Sequence, residues 1–134
     1  MDPAHRFHTD ETFRWVRAEH IAVVVIASVA GLLHAGEVSW LRFALAFVLI
    51  DVVGYLPGAL AFRRGEGRPI APHYHHLYNL THSYLVAGAA VALWALALGR
   101  LEWAMVAIPI HLSGDRGLFG NTYKPISLPF EVVQ

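Results

Sequence analysis

Four histidines fall within the short stretch HYHHLYNLTHS, which occupies residues 73–83: His73, His75, His76 and His82. An uninterrupted apolar run, typical of a membrane helix, follows directly. An imidazole in or near lipid is costly unless it has a partner, and ionisable residues in membrane segments usually mark functional sites. This cluster therefore needs a chemical role, and metal coordination is the first candidate because imidazole is a common metal ligand.

Two carboxylates lie in similar surroundings. Asp51 interrupts a long apolar segment, and Asp115 follows His111 by four residues, so that His111 and Asp115 share one face of a helix. An aspartate at the centre of a membrane costs about 3 kcal/mol on translocon scales, which makes Asp51 a functional candidate. Imidazole and carboxylate together suit zinc, iron or manganese.

We therefore predict a divalent metal site, with zinc as the first choice and iron or manganese as alternatives. The predicted metal ligands are His75, His76, His82, His111 and Asp115, with His75 and His76 competing for one place. Asp51 and Asp115 are the predicted catalytic carboxylates. Asp51 is expected to lie a turn or more deeper than His82, so it also suits holding a histidine tautomer instead of binding the ion.

Simpler interpretations of the same residues stay open at this point. The histidines of 73–76 also suit a wet interfacial loop, and His82 also suits a structural hydrogen bond to a backbone carbonyl. Asp51 has an arginine or a tyrosine as an alternative partner. Asp115 has the adjacent Arg116, in an ion pair worth little when exposed. The metal site is favoured because the polar residues fall at one depth of the predicted helices.

Four apolar segments must position these side chains: residues 20–36, 40–62, 77–99 and 101–120. Each has 17–23 residues, the length a helix needs to cross about 30 Å of hydrocarbon. Hydrophobic residues make up 56% of the 134-residue chain and charged residues only 15%, too apolar a balance for a small water-soluble core. Short connections favour antiparallel neighbours. We predict an all-α fold, an integral membrane four-helix antiparallel bundle that forms one domain over residues 1–134.

The basic residues set the predicted orientation. Eight of the ten Arg and Lys residues lie before the first segment, between the second and third, or at the end of the fourth. Both termini are therefore predicted to be cytoplasmic. Residues 1–19 are predicted as a lead-in helix on the membrane surface, capped by Thr9 or Asp10. Residues 121–134 are predicted as a cytoplasmic tail that starts after a helix stop at Gly120 and, being apolar, folds back.

Composition also excludes several classes of function. The chain has no cysteine, which excludes disulfides, Cys-ligated zinc and iron–sulfur clusters. The net charge is zero with histidine neutral, so there is no electrostatic case for nucleic acid. The predicted partners are membrane lipid, together with further copies of the chain or a larger membrane complex.

Three sequence blocks carry a family resemblance: DVVGYLPGAL (51–60), LYNLTHSYLV (77–86) and HLSGDRGLFGNTYKP (111–125). In order and spacing they resemble a family of small four-helix integral membrane proteins of unknown function. More distantly, T-H-S around His82 and H-x-x-x-D at His111 and Asp115 are similar to membrane-bound metal-dependent hydrolases of the LexA-binding inner-membrane type. That similarity implies metal or catalytic roles for these three residues and for Asp51, and a location in a bacterial inner membrane.

Three classes of function follow. The first is a metal-dependent membrane hydrolase that acts on a lipid-like or amphipathic substrate, with Asp51 or Asp115 as base. The second is a non-catalytic accessory subunit of a larger membrane complex, with a histidine available to bind a tetrapyrrole. The third is a di-iron oxidative membrane enzyme, which ranks lower because such enzymes need about eight histidines in spaced motifs.

Overall fold

A computed structural model of the chain describes residues 8–131, and every regular element in that range is helical. Six α-helices follow one another: α1 (Asp10–Leu33), α2 (Trp40–Gly54), α3 (Leu56–Arg64), α4 (Pro72–Thr81), α5 (Tyr84–Leu98) and α6 (Ala107–Gly114). A 3₁₀ turn, Trp103–Val106, leads into α6, and a π-helical turn, Asp115–Phe119, continues it. The prediction of an all-α fold is confirmed.

Two helices among the described residues are long and apolar enough to cross a membrane: Asp10–Leu33, and α2 with α3 as Trp40–Arg64. The helices α4 and α5 meet the same criterion only as one span that is bent by 55°. Most of the large apolar side chains on α1, α2 and α5 are exposed. Apolar surface of this extent needs a lipid environment or a partner, which supports the prediction of a membrane protein.

The helix α1 begins at Asp10, ten residues before the predicted start of the first segment. Thr9 is its N-cap and forms a capping box with Thr12, and two acidic residues occupy the first turn. No glycine or proline then interrupts the chain before the apolar part. The described part of the predicted surface helix over 1–19 continues into the apolar part of α1 without a break, and its place on a membrane surface stays a prediction; residues 1–7 lie outside the described range.

The predicted second segment, 40–62, is broken at Tyr55, where α2 ends and α3 begins. Pro57 lies in the first turn of α3. Its ring has no N–H to donate and clashes with the turn before it, so the helix cannot pass through unchanged. The sequence predicts a bend here; the structure shows one irregular residue, Tyr55, between two helices that continue as the single span Trp40–Arg64.

The predicted third segment, 77–99, starts five residues earlier, at Pro72, and is interrupted at His82 and Ser83. Proline is tolerated at Pro72 because the first turn of a helix leaves its N–H groups unpaired. The hydroxyl of Thr81 donates back to the carbonyls of Leu77 and Tyr78, at 3.1 and 3.0 Å. Such bonds compete with the helical pattern and bend the helix. His82 is thus at a bend, and not inside a straight span.

The predicted fourth segment, 101–120, is a 3₁₀ turn, the short helix α6 and the π-helical turn in succession. The helix α6 has eight residues and is about 12 Å long, too short to cross a membrane alone. Gly120 ends the segment with a φ of 71°, as predicted. The four-span bundle with both termini in the cytoplasm stays a prediction.

Two glycines allow the α2–α3 rod to approach its neighbours closely, as their small-xxx-small spacing predicts. A Cβ atom on Gly54 would lie 1.8 Å from Oγ1 of Thr81 in α4. On Gly58 it would lie 2.3 Å from the ring of Phe130. Asp51, Gly54 and Gly58 share one face of the rod, so the face that carries Asp51 is pressed against α4.

The C-terminal segment folds back over α3 and α4, as its apolar composition predicts. Phe130 is only 1% exposed and packs in one core cluster with Ala59, Phe62 and Tyr78. The backbone of Lys124 forms two hydrogen bonds with the side chain of Asn79, at 2.7 and 3.0 Å. The segment is therefore docked as far as Glu131, and residues 132–134 lie outside the described range.

Charged groups hold the same segment in place. The carboxylate of Glu131 accepts hydrogen bonds from Tyr55 and Arg63. Burial raises the pKa of Glu131, but these hydrogen bonds outweigh it and hold the pKa below its usual value. The ammonium of Lys124 donates to the carbonyl of Phe130, and burial lowers the pKa of Lys124.

Replacing Phe130 with alanine is expected to lower the free energy of unfolding by about 3–5 kcal/mol, because a whole ring leaves a closed site. Leu128, which is 59% exposed, gives a matched control two residues earlier. Its replacement by alanine is expected to change stability by less than about 0.5 kcal/mol. Thermal unfolding in detergent measures both, and equal stability of the two variants would contradict the docking of the tail.

Candidate metal centre

Four side chains meet at the bend between α4 and α5: Asp51, His82, His111 and Asp115. Asp51 comes from α2, His82 follows α4, His111 lies in α6 and Asp115 begins the π-helical turn. Each offers one ligand atom, and the four atoms lie within 4.8 Å of one another. Both predicted carboxylates and two of the predicted histidines are therefore brought together in a group that can hold a metal ion.

The distances between the ligand atoms suit a tetrahedral ion. Nε2 of His82 lies 3.3 Å from Oδ1 of Asp51 and 3.4 Å from Oδ2 of Asp115. Nε2 of His111 lies 3.5 and 3.7 Å from the same two oxygens. Ligands bound to zinc at about 2.0–2.2 Å are roughly 3.3–3.6 Å apart at the corners of a tetrahedron. These four distances are close to that spacing, so the group could hold a metal ion, and its donor types suit zinc, iron or manganese alike.

A hydrogen bond from Nδ1 orients the imidazole of His82. Nδ1 lies 2.9 Å from the carbonyl oxygen of Tyr78, which can only accept a hydrogen bond. Nδ1 therefore donates to Tyr78, which fixes the plane of the ring and aims Nε2 at the carboxylates. In this structure Nε2 donates to Oδ1 of Asp51 at 3.3 Å, and with an ion bound the lone pair of Nε2 would face the ion. A histidine that donates its second ring N–H to a carbonyl is the usual arrangement for a metal ligand.

His111 gives independent support for a bound cation. Both of its ring nitrogens are buried and make no hydrogen bond. A buried polar atom without a partner is rare and needs an explanation, such as an ion that it ligates. The ring of Phe47 packs edge-on against the imidazole at 4.7 Å between centroids. Nε2 of His111 therefore faces the two carboxylates across a gap that a divalent cation would bridge.

The two carboxylates differ in exposure. The side chain of Asp51 is 49% exposed and that of Asp115 is 21% exposed, whereas those of His82 and His111 are each 4% exposed. The group is therefore closed on its histidine side and open at Asp51. Water or a small polar group of a substrate can approach from the open side.

The π-helical turn places Asp115 and is itself anchored to α1. Such widened turns often occur at functional sites. Arg17 donates to the carbonyls of Gly117 and Leu118, both at 3.0 Å. A Cβ atom on Gly117 would lie 2.9 Å from the backbone nitrogen of Ile21. Only glycine therefore allows α1 to lie this close to the turn that carries Asp115.

His75 and His76 lie outside this group, so the prediction that one of them completes the site is not supported. His75 shares a face of α4 with His82, but seven residues separate them by about 10 Å along the axis. His75 is buried with its ring edge-on to Phe130, at 5.3 Å between centroids. His76 is exposed. Asp51 was expected to lie a turn deeper in the bundle than His82, but its Oδ1 lies 3.3 Å from Nε2 of His82. The helix α4 starts five residues earlier than predicted, at Pro72, so His82 lies further from the start of its helix than the sequence suggested.

Sequence reasoning missed the residues that hold the ligands. Tyr78 stacks on His82 at 3.9 Å between ring centroids and supplies the carbonyl for its Nδ1. Arg116, considered as an ion-pair partner for Asp115, instead donates to the carbonyl of His82 at 3.0 Å. The position of Tyr78, four residues before His82 on one helix, was an available signal for the first contact.

A second polar network lies on the other side of α6. Ser113 is fully buried and lies 2.9 Å from Nδ1 of His20 in α1. It is also hydrogen-bonded to the hydroxyl of Tyr84 in α5. Three helices are thus joined through one serine. Hydrogen bonds of this kind stabilise helix contacts in membranes by about 1 kcal/mol.

Comparison with known proteins assigns the chain to no family. No protein-family model matches the chain, and neither a curated protein nor a solved structure resembles it closely enough to count as a match.

Proposed function

We propose that this protein is a metal-dependent membrane hydrolase that acts on a lipid-like or amphipathic substrate. The observation that carries the proposal is the convergence of two imidazoles and two carboxylates within 4.8 Å, open to the outside at Asp51. A closed group would suit structure alone, whereas an open side allows a substrate to approach. The resemblance to membrane-bound metal-dependent hydrolases agrees with this chemistry.

His82, His111 and Asp115 would hold the ion, because they are the less exposed members of the group. A divalent ion there would supply Lewis acidity and make a nearby water molecule acidic at neutral pH. Asp51 is the most exposed member and is therefore the best placed to accept the proton of that water. The water oxygen would then bond to the carbonyl carbon or phosphorus, the bond from that atom to the leaving oxygen would break, and Asp51 would return its proton to the leaving oxygen.

The same proposal places the protein in a bacterial inner membrane, with membrane lipid as its surroundings. The eight-to-two distribution of basic residues supports both termini in the cytoplasm and a site in the cytoplasmic half. Self-association or membership of a larger membrane complex is compatible with this arrangement.

Hydrolysis is tested with zinc-loaded protein in vesicles of phosphatidylethanolamine and phosphatidylglycerol, by measuring released fatty acid and phosphate headgroup. Release is expected to require zinc, and the Asp51→Asn variant is expected to lose about 10²–10⁴ of the rate while saturating zinc still binds. The exposed Glu66 lies in the α3–α4 connection, and Glu66→Gln serves as a control with unchanged activity. Release that persists in zinc-free protein would contradict the proposal.

A second candidate is a non-catalytic membrane subunit with a structural ion. It is favoured by one observation, that the protein offers four ligand atoms and so fills a tetrahedral shell, as structural zinc sites do. In that case zinc would raise the thermal stability of the protein, and no fatty acid or phosphate headgroup would be released from the vesicles. A di-iron enzyme is less favoured, because the described residues contain a single group of this kind.

A further inference from the structure

A wedge-shaped groove of about 620 Å³ separates α5 from the 3₁₀ turn and α6. Its lining is mostly apolar, with Tyr84, Gly88 and Val91 on one side and Trp103, Ile108 and Pro109 on the other. The carboxylate of Glu102 also lines it and is paired with Arg42 at 2.9 Å. Its volume lies in the range of small-molecule binding sites, which are mostly apolar with a few polar groups. The hydroxyl of Tyr84 is one such group.

The groove exists because α5 turns away from the rest of the fold. Helices joined by a short connection normally pack about 8–10 Å apart, and only residues 99–102 separate α5 from the 3₁₀ turn. The 55° bend after α4 prevents that packing. Ala87 is the single buried residue of α5, all of which lies within the described range. Contacts between α5 and α6 come from Tyr84 and Ala87 in the first turn of α5, and no later residue of α5 is buried.

The size of the groove favours a lipid acyl chain over a helix as its occupant. A helix about 10 Å across with a rise of 1.5 Å fills roughly 120 Å³ per residue, so a groove of 620 Å³ would take only about five residues of one. A polymethylene chain is only about 4 Å thick at carbon–carbon contact, so a groove of this volume has room for a long stretch of one. In a bilayer such chains surround the protein, and a vacant wedge would lose their dispersion contacts.

We propose that this groove binds one acyl chain of a membrane lipid. The site is separate from the metal centre, because none of the residues that line the groove belongs to the group of Asp51, His82, His111 and Asp115. The bound chain takes the place of the missing packing between α5 and α6. This inference does not depend on hydrolysis, and it holds equally for a catalytic or a structural metal site.

Trp103 lines the groove and provides a local probe. The chain has four tryptophans, and a protein in which Trp15, Trp40 and Trp94 are replaced by phenylalanine reports on Trp103 alone. In non-ionic detergent micelles, this protein is titrated with stearic acid that carries bromine atoms in mid-chain, which quench tryptophan on contact. Saturable quenching of Trp103 is expected, with reversal by unlabelled stearic acid.

Gly88→Leu is the decisive variant, because a Cβ at Gly88 meets nothing within 4 Å and a larger side chain would fill the groove without a clash. It is expected to weaken the quenching affinity by at least tenfold. Ala90→Leu makes a similar change on the opposite face of α5, which is exposed and outside the groove, and is expected to leave the affinity unchanged. Val91→Phe fills the groove one turn further along α5. It is expected to weaken the affinity as well, and it provides a second test if Gly88→Leu fails to fold.

Quenching that rises without saturation, or to the same extent in all the variants, would overturn the proposal. So would a loss of self-association in Gly88→Leu, measured by mass in detergent, because it would show that the groove binds a helix of a second copy. Zinc content is measured in parallel. Gly88→Leu is expected to bind zinc normally and His82→Ala to bind stearic acid normally, so failure of one site is distinguishable from failure of the other.

Discussion

Purified protein carrying His82→Ala is expected to lose stoichiometric zinc binding. His82 offers a lone pair whose direction is fixed by the hydrogen bond from Nδ1 to the carbonyl of Tyr78, and its Nε2 lies 3.3 and 3.4 Å from the two carboxylates. Loss of a residue that merely supports a ligand costs about 10–100-fold in metal affinity. Loss of the ligand itself is therefore expected to weaken zinc binding by more than about 100-fold.

The measurement is the zinc content of the purified protein together with a competition titration against a chelator of known affinity. His76→Ala is the matched control, because His76 lies in α4 six residues before His82 but is exposed and outside the group. It is expected to keep one zinc per chain at unchanged affinity. Equal zinc loss in the two variants would show that the histidine-rich stretch binds metal nonspecifically, and unchanged binding in His82→Ala would remove the metal centre.

The sequence was sufficient to predict four residues that the structure brings together as a candidate metal site. The cost of Asp51 in lipid and the four-residue spacing of His111 and Asp115 are local features, and T-H-S marked His82 against an apolar background. Such features depend on residue type and helix period alone. They predicted a group that the structure brings together, and the small-residue spacing of Gly54 and Gly58 indicated a close approach of this helix without showing that α4 is the neighbour.

The misplaced features depend on where helices begin and bend. Average hydropathy predicts residues 77–99 as one straight helix. It contains no information about the hydrogen bonds from the Thr81 hydroxyl to the carbonyls before it, which bend the chain there. Pro72 allows α4 to start five residues before the predicted segment. His82 is therefore further from the start of its helix than predicted, and it lies beside Asp51. The same shift left His75 against Phe130 and outside the ligand group. Helix ends follow from individual capping and proline contacts, so they are predicted less well than helices themselves.

Gly54→Ala is expected to lower both the stability of the fold and the affinity for zinc. A Cβ at this position would lie 1.8 Å from Oγ1 and 2.9 Å from Cβ of Thr81, so α2 and α4 must move apart. Overpacking of this kind costs about 1–3 kcal/mol. Asp51 lies one turn before Gly54, and His82 directly follows Thr81, so the movement pulls two ligands away from each other.

The sign of the effect makes this test specific. Replacing glycine with alanine inside a helix normally stabilises it by up to about 1 kcal/mol, and Gly88→Ala in α5, where a Cβ meets nothing within 4 Å, is expected to behave in that way. Thermal unfolding and the zinc titration are measured for both variants and for Gly54→Ala combined with Thr81→Ala. The second change removes Oγ1 and is expected to restore part of each loss, since contacting residues are coupled. If Gly54→Ala were as stable and bound zinc as tightly as the unchanged protein, the contact between α2 and α4 would not be what holds Asp51 beside His82.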